Sequence, residues 1–160
     1  MNSTTLDLVQ GFLLAFQQLN AGLDHAPTYA LGEVPSRGDP ARSVAAYLGS
    51  SPEPGGGTWH VEVQPLAEGM EALRPLLVRW LFDNHLGLPA GHEPEIWQAK
   101  QENCVNTLLS LLQDLCGGQP PRVWKVEARP PEGTFYDLVW DDFLLESGDR
   151  LFLLHLGMSD

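Results

Sequence analysis

The sequence predicts an α+β domain: an antiparallel sheet of about four strands with helices packed on one face. Three observations lead there. Apolar residues recur at three- and four-residue spacing in separate stretches near the N-terminus and in the middle of the chain. Two short runs, TWHVEVQP and RVWKVEA, alternate with a period of two. The last stretch, TFYDLVWDDFLLESGDRLFLLHLGMSD, places two apolar runs on either side of Ser147-Gly148-Asp149, the pattern of a hairpin. A chain of 160 residues fits one globular domain, 1–160, that can bury a core without metal or disulfide staples.

The first helix starts at a cap, Ser3 or Thr4, with Asp7 in its first turn. Leu6, Val9, Leu13 and Phe16 form its buried stripe, and Leu8, Phe12, Ala15 and Leu19 widen that stripe enough to predict packing on more than one side. The helix should end near Gly22. From Leu23 to Gly57 the chain is rich in Pro and Gly. Within it, Asp39-Pro40 caps and opens a short helix through Leu48, which Gly49 ends. SSPEPGGG reads as a loop; no lysine follows its glycines and the next run is a strand, so it is not a phosphate loop.

The first predicted strand is Thr58–Gln64, with Trp59, Val61 and Val63 on one face. Leu73, Leu76, Leu77, Trp80 and Leu81 then form one helical face, with Pro75 tolerable only in the first turn. Gly87 and Pro89 should end that helix. A longer helix from about Glu95 to Cys116 turns Trp97, Val105, Leu108, Leu112 and Leu115 inward and stops at Gly117-Gly118. Three more strands follow: Arg122–Ala128, Thr134–Glu146 and Arg150–Leu156.

Parity changes inside the third of these strands. Tyr136, Leu138 and Trp140 share a face, but Phe143 and Leu145 fall on the other. A bulge at Asp141-Asp142 would absorb the extra residue and turn both carboxylates to solvent, so that Asp141→Ala should cost no more than about 0.5 kcal/mol.

Charge is the outlying property. There are 21 acids against 9 bases, a formal net charge of -12. No Lys or Arg occurs in the first 36 residues. Residues 131–160 hold seven acids and one base, Arg150. Such a surface repels nucleic acid and anionic membrane and attracts basic protein partners. Two readings of the acidic hairpin stay open: a binding surface, or charge that keeps the protein soluble and blunts an edge strand. Under the first, Asp137, Trp140, Asp141, Asp142, Glu146 and Asp149 would contact the partner, with Trp140 as its aromatic anchor.

Cys104 and Cys116 are about 18 Å apart along one predicted helix, too far for a disulfide, which points to a reducing compartment. The N-terminus has no positively charged leader region, and Gln10, Gln17 and Gln18 interrupt its apolar run. It reads as neither signal peptide nor membrane span, so a cytoplasmic location is expected.

No catalytic signature is present and no cofactor is expected. The densest polar cluster, DNHLGLPAGHEPE, could supply imidazole and carboxylate ligands, yet no second His follows at helical spacing and Pro94 interrupts it. A small metal-dependent hydrolase using the His85–Glu95 loop is therefore the alternative reading, and a structural or adaptor subunit is a third. His155, between Leu154 and Leu156, is expected to have a satisfied partner on its neighbouring strand.

The chain's size and acidity, its helices before a strand meander, the LGLP stretch (Leu86–Pro89) and the ending WDDFLLESGDRLFLLHLG together resemble the small acidic immunity proteins of bacterial toxin systems, including the SMI1/KNR4-like group. The glycine-rich signature of that group after Leu88-Pro89 is absent. The resemblance implies a non-enzymatic inhibitor that neutralises a cognate basic toxin, such as a nuclease, by occluding its active site.

Overall fold

The computed structural model describes residues 3–22, 25–50, 57–83 and 93–160. The loop 51–56, the helix stop at Gly87 and Pro89, the LGLP stretch, and His85 and His92 lie outside them. Among these residues, four helices run Ser3–Asn20 (α1), Pro40–Leu48 (α2), Leu73–Val78 (α3) and Pro94–Leu115 (α4). Five strands run Ala26–Val34 (β1), His60–Pro65 (β2), Arg122–Arg129 (β3), Val139–Ser147 (β4) and Arg150–Ser159 (β5). The α+β class holds, with five strands rather than four. They form one antiparallel sheet in the order β1-β5-β4-β3-β2.

The added strand is β1. Proline, glycine and two alanines dilute its alternation, but Tyr29 and Leu31 still point into the core. β1 is an edge strand, and α1 closes that edge. Gln17 Oε1 accepts the outward N–H of Tyr29 at 3.0 Å, and Gln10 Nε2 donates to the carbonyl of Leu31 at 3.0 Å. Side-chain amides thus occupy backbone groups that would otherwise template another strand.

At α2 the capping follows the sequence, whereas Asp7 lies beyond the first turn of α1. Asp39 accepts the N–H of Arg42 at 2.8 Å, Pro40 opens α2, and Gly49 closes it. Pro75 is the third residue of α3, where no intrahelical N–H is lost. α3 continues into a π-helical turn, Arg79–Asp83, which buries Trp80, Leu81 and Phe82.

The sheet is covered on both faces. α1, α3 and α4 pack on one side, where Val9, Leu13, Leu77, Leu108 and Leu112 meet Leu31, Val123, Phe143, Phe152 and Leu154. α2 covers part of the other, where Val44 meets Val34, Trp59, Val126, Leu144, Leu151 and Leu153. This corrects the bulge. β4 pairs without interruption to β5 (Val139↔Met158 through Ser147↔Arg150) and to β3 (Arg122↔Glu146 through Val126↔Asp142). Apolar residues occur at both parities because both faces of β4 are buried, which is also why β5 is almost wholly apolar. The acidic hairpin occupies the centre of the sheet, so its charges protect no edge.

Candidate functional site

Two polar constellations lie on opposite faces of β4, built from the neighbouring acids Asp141 and Asp142. On the α2 side, Asp142 is fully buried and sits directly opposite His155 of β5. His155 Nδ1 is 2.7 Å from Asp142 Oδ1, and His155 Nε2 is 2.8 Å from Asp137 Oδ2. The Tyr136 hydroxyl donates to Asp142 Oδ2 at 2.9 Å. Two acceptors on the two ring nitrogens suit a doubly protonated imidazole. Burial alone would lower its pKa; the hydrogen bonds to Asp137 and Asp142, together with their charges, outweigh that and raise it to about 9. For Tyr136, burial and the charge of Asp142 push the phenol well above its ordinary value.

The room for this cluster comes from Gly157. A Cβ there would lie 2.2 Å from Asp137 Oδ2 and 2.6 Å from His155 Nε2. Around the imidazole, the Tyr136 ring lies 4.8 Å from His155, 5.0 Å from Trp59 and 5.2 Å from Trp140.

On the other face, Asp141 accepts from Arg79, Lys125 and, at 2.8 Å, Trp80 Nε1. Burial opposes its ionisation, but the bonds from Lys125 and Trp80 and the charges of Lys125 and Arg79 hold its carboxyl below the usual range. Asp141 therefore ties β4 to β3 and to the π-helical turn after α3. The expectation that Asp141 and Asp142 face solvent is corrected: one is enclosed by three donors, the other by an imidazole and a phenol.

The remaining expected site residues are scattered. Asp137 is buried in the His155 cluster. Trp140 is half-buried against Tyr136. Glu146, half-buried, accepts Trp124 Nε1 at 3.0 Å. Asp149 is exposed in the turn beside Gly148, whose φ is 62°. Trp140 and Glu146 are six positions apart along the strand, or about 20 Å, so the acids do not form one surface.

The residues just before Trp140 in the chain include exposed apolar ones. Phe135, Leu138 and Val139 are 62, 55 and 50% exposed. Val139 and Trp140 line a depression of about 490 Å³ with Arg79, Trp80, Asp141 and Met158. The Arg79 side chain is half exposed there. Sequence reasoning passed over Phe135 and Val139 because an alternating strand through Thr134–Glu146 gives each of them an ordinary sheet face; the chain is not a strand before Val139. The only signal was the local density of Phe, Tyr, Leu, Val and Trp beside a Pro/Gly turn.

Among the described residues, no group of three His, Cys, Asp or Glu side chains is arranged to hold a metal ion, and no helix is long and apolar enough to cross a membrane. Glu93 and Glu95 of the polar loop are exposed. Compared with protein-family models, curated proteins and solved structures, the chain matches none.

Proposed function

We propose that this is a cytoplasmic, non-enzymatic binding protein of the immunity type, which neutralises a basic protein partner such as a toxin nuclease by covering its active site. The docking face is the Trp140 depression, with Val139, Trp140, Met158 and Arg79 in its lining, extended by the exposed Leu138 and Phe135 that precede it in the chain. One observation carries this. Half-exposed Val139 lines the depression with a tryptophan, a methionine and an arginine, residue types enriched at interface hot spots, and two more exposed apolar residues, Leu138 and Phe135, precede it in the chain. The acids contribute differently from the sequence expectation. Asp137, Asp141 and Asp142 build the face from within, while Asp149 and the rest of the net charge of -12 act at a distance, speeding encounter with a basic partner.

The test uses the native host lysate, with wild-type protein and a Phe135→Ala/Val139→Asp variant as baits side by side. A basic protein retained by wild type and lost with the variant is the expected result. Its association rate should fall steeply with salt while its dissociation rate does not. Equal retention by both baits would reject the face.

A further inference from the structure

The connection 130–138 between β3 and β4 carries two of the three exposed apolar residues of the proposed face, Phe135 and Leu138. Asp137 is its buried member, and Pro130, Pro131, Thr134 and Tyr136 are half-buried. Its backbone is tied by Thr134 N–H to the carbonyl of Pro131 at 3.0 Å, and by Leu138 N–H to the carbonyl of Met158 at 3.1 Å. Tyr136 also packs on Trp59 and Trp140, while the polar contacts of Tyr136 and Asp137 converge on one side chain. Asp137 reaches His155 Nε2, and Tyr136 both lies tilted against the His155 ring and bonds to Asp142, which holds His155 Nδ1. Gly157, opposite Trp140 across the β4–β5 ladder, leaves the space in which the Asp137–His155 bond forms.

We infer that His155, with Asp142 behind it, is the positioning residue of the proposed docking face: through Asp137 it fixes the pose in which Phe135, Leu138 and Val139 are presented together. This rests on the functional reading above. The physical consequence is preorganisation. A segment held in one pose by a buried bond incurs little ordering entropy when a partner arrives, and a released segment is competent only for the fraction of time it revisits that pose. His155 touches no partner in this scheme. It acts two residues away from Phe135 and one from Leu138, through the Asp137 carboxyl.

Three variants separate this from a general loss of stability. Asp137→Ala removes the bond; Gly157→Ala keeps every polar group but drives a methyl into the bond; Asp137→Asn keeps an acceptor of the same size. Amide hydrogen exchange is read at Thr134 and Leu138, with Phe143 and Leu154 as core references, and chymotrypsin cleavage after Phe135, Tyr136 and Leu138 is mapped by mass. The first two variants should exchange and be cut on the order of tenfold faster at the segment, with the core references unchanged, and Asp137→Asn should stay near wild type. Segment exchange that is unchanged, or that rises only in step with the core, overturns the inference. The partner retained by wild type is then titrated against each variant. Weaker association with Asp137→Ala and Gly157→Ala supports the positioning role. If Phe135→Ala abolishes binding while both latch variants bind as wild type does, the positioning role falls and the docking face stands. If Phe135→Ala binds normally, the docking face itself falls.

Discussion

Raising the pH from 6 to 9 should remove a defined part of the protein's stability, because a single imidazole carries it. Folded, His155 holds its proton up to about pH 9, against 6.5 for an ordinary histidine. A group with a raised folded pKa contributes its full stabilisation below the unfolded value, and loses it as pH climbs toward the folded value. The window is therefore 6.5 to about 9. At about 1.4 kcal/mol for each tenfold difference in proton affinity, the stabilisation lost across it is about 3 kcal/mol. The side chain is only 10% exposed, so solvent screening removes little of this. The groups that face the ring are Asp137, Asp142 and Tyr136; the phenol is pushed upward and stays protonated throughout the window. Urea denaturation at half-unit pH steps supplies the stability curve. Proton NMR of the imidazole supplies the midpoint to set against it. A flat stability curve between pH 6 and 9, or a His155 midpoint near 6.5, would refute the clamped imidazolium.

Asp141→Ala should cost about 2 kcal/mol in the same denaturation assay, because it strands Trp80 Nε1 and two cations at once; a cost below about 0.5 kcal/mol would return Asp141 to the role of a simple surface acid. Leu112→Ala, at a fully buried site between α4 and the sheet, should cost about 2–5 kcal/mol. Gln17→Ala should cost about 1 kcal/mol and speed hydrogen exchange at the Tyr29 amide, and an unchanged Tyr29 amide would show that α1 does not guard the edge.

Much of the fold was legible because it rests on local chemistry. The Asp39-Pro40 cap, the Gly49 stop, the stripe from Val105 to Leu115 and the Ser147–Arg150 turn each declare themselves within a few residues. What was not legible depended on partners far away in sequence. β1 reads as a loop because its strand character is supplied by β5, more than a hundred residues on. Phe143 and Leu145 look like a register slip because alternation is a guide only where one face of a strand meets water, and β4 has no such face. The site failed for the same reason. Adjacent aspartates in a sequence suggest one acidic surface, but in a strand they point to opposite faces, so Asp141 and Asp142 belong to separate networks. His155 alone gave a correct hint, since a histidine between two buried leucines has to find an acceptor.

The order of the strands also sets a timetable for folding. β1 pairs only with β5, from Ala26↔Ser159 to Val34↔Leu151, and β3 reaches β1 only through the β4–β5 hairpin. During synthesis, α1 and β1 on one side and β2 and β3 on the other must wait without a common sheet until the central hairpin has been made. Closing loops of that length before any pairing is gained makes for slow folding. In that interval the apolar stripe of α1 and the strand edges of β1 and β3 are open to chaperones and to one another. Folding then completes as an insertion: the hairpin, which carries every member of the His155 clamp within residues 136–155, enters between two waiting halves.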